Sequence, residues 1–140
     1  MLNVTQRIYD ELKTCQPNLK VFMNENENGS EVQLSFGLKN SGQYMIRLCN
    51  IKEQDDTAIR IFRIISVEKE QIPAILPVLN QINAKYRFVK FYCDSDGDVN
   101  LSYDFFSKDS HPDKCAMEAI IRIVDIMDEV YPILMQALWT

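Results

Sequence analysis

The 140 residues include 20 acidic and 15 basic side chains, for a net charge of -5, and are 46% hydrophobic, 25% charged and 10% aromatic. A chain of this length and composition builds one core of its own, which excludes a disordered, fibrous or collagen-like polymer and predicts a single domain over residues 1–140. Its Lys and Arg are scattered rather than gathered, so phosphate backbones and anionic membrane surfaces are repelled, and neither nucleic acid nor membrane is expected as a partner.

The first residues, MLNVTQRIYDELK, lack the basic stretch and apolar run of a secretory signal, and nowhere do 18 uncharged apolar residues run together; a cytoplasmic protein is expected. Cys15, Cys49, Cys93 and Cys115 are widely spaced with no Cys-x-x-Cys pair, and read as small core residues rather than zinc ligands or disulfides.

Val4, Ile8, Leu12 and Cys15 recur at helical spacing, so a short helix is expected from a cap at Asn3 or Thr5 to about Thr14, with Pro17 ending it. Three to four strands follow. LKVFM from Leu19 is a short strand ended by the turn-forming ENENGS. EVQLSFGL alternates, with Val32, Leu34, Phe36 and Leu38 on one face and Gln33, Ser35 and Gly37 on the other. KNSG supplies a turn, and QYMIRLCNI and TAIRIFRII, separated by the polar KEQDD, complete an antiparallel meander.

From Glu68 to Lys85 the period becomes helical, with Ile72, Ile75, Leu76, Leu79 and Ile82 on one face. Pro73 suits a first turn, whereas Pro77 forfeits one ladder bond and predicts a late start or a bend. RFVKFYCD and VNLSYDFF then form a second hairpin, and a long helix opens at Ser110, His111 and Pro112. The predicted fold is α+β, an antiparallel sheet backed by helices in the order α-β-β-β-(β)-α-β-β-α.

The connection CDSDGDVN resembles a calcium loop, because Asp94, Asp96 and Asp98 fit its first three ligand positions and Leu101 its aliphatic one. The required glycine is replaced by Val99 and the closing glutamate by Phe105. Val89, Phe91 and Cys93 alternate into this stretch, and Val99, Leu101, Tyr103 and Phe105 alternate out of it, so it reads as a hairpin turn around Asp96-Gly97. No metal site is assigned, with a weak ion-responsive module as an alternative.

Catalytic signatures are missing. The single histidine, His111, precedes Pro112 at a helix start; the glycines at 29, 37, 42 and 97 form no phosphate-cradling loop; no serine sits in a nucleophile elbow. No catalytic residue and no cofactor is expected. A distant-residue enzyme or small-molecule binder is the alternative to a non-enzymatic protein-binding module.

The last segment, HPDKCAMEAIIRIVDIMDEVYPILMQALW, gathers Lys114, Glu118, Arg122, Asp125, Asp128, Glu129 and Gln136 into one stripe. Its apolar residues spread over about 200° of the helix, about twice a single buried stripe. Such a surface predicts contact with another chain, most simply a homodimer, through Ile121, Met127, Met135 and Trp139. Pro132 should bend the helix or mark its last turn.

The run LPVLNQINAKYRFVKFYCDSDGDVNLSYDF resembles the YbjN family of small bacterial proteins. The matching features are the Leu79-Asn80 step with Asn83 after it, the aromatic and aliphatic strand, the acidic turn, and the Tyr131-Pro132 step in an acidic helix. The resemblance implies a fold similar to the type III secretion chaperones, small acidic cytoplasmic dimers that hold a partner's extended segment against their surface. It also implies a regulatory or sensory role without a known reaction, in which a protein or peptide is the partner.

Overall fold

Residues 2–37, 42–52, 56–106 and 111–139 are described by the computed structural model. Alternating strand segments pair into a six-stranded sheet, in the order β1 (Val21–Asn26), β2 (Gly29–Gly37), β3 (Gln43–Asn50), β4 (Asp56–Ser66), β6 (Asp98–Phe106) and β5 (Lys90–Cys93). Every neighbouring pair is antiparallel. The register aligns the apolar halves of the alternation: Val32 opposes Leu48, Leu48 opposes Ile59, and Leu101 lies between Ile61 and Phe91. These six side chains are buried, so one face of the sheet is core and the other carries the alternate residues.

The predicted meander, second hairpin and bracketed extra strand are all present. The proposed KNSG turn and KEQDD connection fall mostly outside the described residues, as do Leu38 and Ser110.

Helices α1 (Asn3–Cys15), α2 (Ile72–Lys85) and α3 (Pro112–Trp139) cover the core face. Val4, Ile8 and Leu12 turn α1 onto β1, β2 and β3, each contributing about 1.5–3 kcal/mol by burial. Neither Asn3 nor Thr5 caps this helix; it starts after Leu2 without a side-chain cap. Thr5 is buried instead. Its hydroxyl shares a 2.7 Å hydrogen bond with Ser30 and donates to Asn50 Oδ1, whose amide nitrogen donates to Thr57. This polar chain fastens α1 to the ends of β2, β3 and β4.

A 3-10 turn over Lys69–Gln71 leads into α2, closed by a capping box between Glu68 and Gln71. Pro73 occupies the first turn as expected, and the helix continues through Pro77. Ile75, Leu79 and Ile82 are buried, but Leu76 is about half exposed, because the stripe that α2 presents to β5 and α3 is narrower than the spacing suggested.

Helix α3 packs on α1, α2, β4 and β6. This coverage narrows the expected broad unpartnered apolar face, since two helices and the sheet meet α3 within the domain. Of its large apolar side chains only Ile121, Ile133 and Trp139 remain exposed.

Candidate partner-binding surface

Where α2 ends, the chain must reverse direction to enter β5. Asn83 sets this crossing: its Oδ1 accepts the Phe91 N–H at 2.8 Å and its Nδ2 donates to the Phe91 carbonyl at 3.0 Å, so one amide side chain imitates a strand neighbour. Between these anchors Phe88 adopts φ 74°, a left-handed conformation that costs an aromatic residue about 1–2 kcal/mol.

The phenyl ring is thereby held outward, 61% exposed. Its centroid lies 6.0 Å from the Tyr103 ring and 4.9 Å from the Arg122 guanidinium carbon, with Arg87 at 5.6 Å. Ile121 stands beside Arg122 on α3, also more than half exposed.

Below this aromatic platform an open groove of about 540 Å³ runs along α3, lined by Glu118, Ile121, Arg122, Asp125, Ile126 and Glu129. The Tyr86 hydroxyl donates to Glu129 at one edge. Burial, and then that carboxylate, push the Tyr86 pKa up to about 12, so the phenol stays a donor throughout the neutral range. Because β5 pairs only with Val99–Ser102, the outer edge of β6 from Tyr103 to Phe106 has no strand partner among the described residues.

The residues expected at an interface are not gathered in one place. Ile121 and Trp139 share a face of α3, but 18 residues separate them, about 27 Å along the axis, and carboxylates lie between. Met135 is half-buried. Met127 is fully buried and leaves the candidate surface: with Ile120, Ile123, Val130 and Leu134 it forms the stripe that faces the core. Phe88 was not singled out from the sequence, although the alternation of Val89, Phe91 and Cys93 already put it outside the buried set.

The acidic connection is a hairpin turn in which the Asp94 and Asp98 carboxylates are committed internally, while Asp96 is exposed. The Asp94 Oδ1 accepts the N–H groups of Asp96 and Asp98, and its Oδ2 accepts the Asn100 amide. Hydrogen bonding from Asn100, then from the Asp98 backbone, holds the Asp94 pKa below the ordinary carboxylate value. Asp98 accepts from Ser66 and pairs with Arg63 at 3.3 Å.

Gly97, at φ 86°, lets its carbonyl accept the Val67 N–H at 2.8 Å. Asn100 also accepts the N–H of Arg63, which sits at φ 58° in a bulge where β4 spends four steps, Ile61 to Ile65, against two on β6.

On the uncovered face of the sheet, Glu31 receives hydrogen bonds from Gln33 and Arg47 and lies near the Cys49 thiol, while Arg60 pairs with Asp104. Burial opposes the Glu31 charge, but these donors outweigh it and leave its pKa lowered. Burial first, then Glu31, raises Cys49 to about 11, which keeps it a thiol rather than a nucleophile. His111 is exposed, and its carbonyl accepts the first α3 bond, from Cys115. Among the described residues, no three His, Cys, Asp or Glu side chains converge to hold a metal ion, and no helix is long and apolar enough to cross a membrane.

The YbjN family model, described as "Putative bacterial sensory transduction regulator", matches residues 39–134, more than half of the chain. No curated protein matches the sequence. Among solved structures, the type III secretion chaperone SycH of Yersinia pestis, determined in complex with a stable fragment of YscM2, superposes with a TM-score of 0.48 and 13% identity. The match covers 87% of this chain and 97% of that one.

Proposed function

The chain belongs to the YbjN family, and from that membership we propose that it is a non-enzymatic, cytoplasmic protein-binding module with a regulatory role, chaperone-like in holding a partner segment against its surface. The observation that carries this reading is the platform of Phe88, Tyr103, Ile121 and Arg122. A strained aromatic held in solvent and stacked against an arginine serves no core, and aromatic and arginine side chains supply most of the energy at protein interfaces. The adjoining edge of β6, without a strand partner among the described residues, offers main-chain hydrogen bonds to an added strand.

Affinity capture from the native cell tests the reading. Phe88→Asn and Ile121→Ser should each lose a partner that the wild type and a Phe22→Ser control, changed on the opposite face of the sheet, both retain. Equal recovery by all four proteins would sink it.

A homodimer through α3 is the competing reading, favoured by Trp139 at 81% exposure. A two-fold pairing of that face would bring Glu118, Asp125 and Glu129 of both copies into one interface, an arrangement that charge disfavours. Sedimentation velocity, with Trp139→Ala beside the wild type, decides between them.

A further inference from the structure

The groove along α3 specifies the chemistry of what it holds. Glu118, Asp125 and Glu129 line it at intervals of about 10 and 6 Å along the helix axis. Glu118 and Asp125 have no ion-pair partner among the described residues. Among the described residues that line the groove, Arg122 is the one cation, and it stacks on Phe88.

The surface therefore combines an apolar, π-rich end at Phe88 and Ile121 with an anionic floor, on a protein whose net charge is -5. A second copy of this chain would bring the same carboxylates and the same sign of net charge. An acidic segment would meet like-charge repulsion, and a purely apolar one would desolvate the carboxylates without replacing their water. A cationic segment with an apolar anchor satisfies both halves.

We propose that the occupant of this groove is a basic peptide segment, its apolar or aromatic side chain seated against Phe88 and Ile121 and its Lys or Arg side chains paired with Glu118 and Asp125. This rests on the reading of the platform as a binding surface and adds the partner's chemistry to it. The pairs are partly solvated, so they contribute selectivity and association rate more than total affinity, and binding weakens as salt rises.

The test uses the full chain and three 14-residue synthetic peptides that share one Leu and Phe framework, with the remaining positions carrying Arg, Glu or Ser. Binding is measured by fluorescence anisotropy, and the site by NMR shifts of the Phe88 and Ile121 signals. The Arg peptide should bind tightest, shift both signals, and weaken about five-fold when Glu118→Gln and Asp125→Asn are combined.

Equal or tighter binding of the Glu or Ser peptide with the same shifts overturns the basic-segment proposal while leaving the platform as a binding surface. Shifts confined to other residues, or no binding of any peptide at millimolar concentration, overturns the proposal. If Phe88→Asn also leaves cellular capture unchanged, the platform reading falls with it. A concentration-dependent dimer that shifts Ile121 in the absence of peptide assigns the groove to a second copy and likewise overturns the proposal.

Discussion

If Phe88 is held outward for binding, replacing it should cost the fold almost nothing. Asparagine tolerates the left-handed region far better than an aromatic residue, so Phe88→Asn relieves about 1–2 kcal/mol of backbone strain at φ 74°. Against this stand the lost ring contact with Tyr103, about 0.5–1.5 kcal/mol, and the exposed cation–π contact with Arg122, about 0.5–1 kcal/mol. The terms cancel to within about 1 kcal/mol. With an unfolding entropy of about 2.1 cal/mol/K per residue, a 140-residue chain converts that into a Tm change of about 3 °C in either direction. Phe91→Ala is the comparator. That ring is fully buried, and its removal should cost about 3–5 kcal/mol, or about 10–17 °C. Thermal unfolding followed by circular dichroism separates the two cases. A Phe88→Asn loss as large as that of Phe91→Ala would refute the argument, because it would make the ring a structural element.

Gly97→Ala should be among the most damaging single-methyl additions: a Cβ there would sit 2.1 Å from the Val67 carbonyl oxygen on a backbone at φ 86°. A cost of at least about 2 kcal/mol should appear as a lowered urea midpoint with an unchanged slope. Asp94 has a folded-state pKa below its unfolded one, so the stability it supplies is complete above the ordinary carboxylate value and is lost as pH falls through the folded-state value. Asp94→Asn should therefore be less stable at neutral pH and show a shallower loss of Tm on acidification. Cys49, with a thiol pKa near 11, should resist alkylation at pH 8 while the exposed Cys15 is labelled first, as peptide mass spectrometry of the native protein would show.

The hairpin around Gly97 was legible because both flanking runs alternate, and a period of two survives whatever the turn itself contains. The helices were legible by their spacing, but coverage was not. A helical wheel reports how wide an apolar arc is and says nothing of how many neighbours lie on it; one sheet cannot cover the arc of α3, but α1 and α2 take up most of the remainder. Met127 was misplaced for that reason. Thr5 looked like a cap because its residue type favours one, and the buried partner that outcompeted this role, Asn50, lies 45 residues away. The bulge in β4 left no trace, since TAIRIFRII reads as one unbroken strand.

Two non-glycine residues with positive φ, Arg63 and Phe88, break local backbone preference in the described chain, and they are compensated in different ways. The N–H of Arg63 is bound by Asn100 and its guanidinium by Asp98, so its strain is offset within the fold and stabilises the bulge. Phe88 obtains only ring contacts that stay open to water. Consistency between local preference and global structure is what makes a sequence fold, and departures from it persist where something outside folding selects them. By that criterion Arg63 belongs to the architecture, whereas Phe88 is the departure that the proposed binding surface, with Ile121 and the carboxylates below it, would account for.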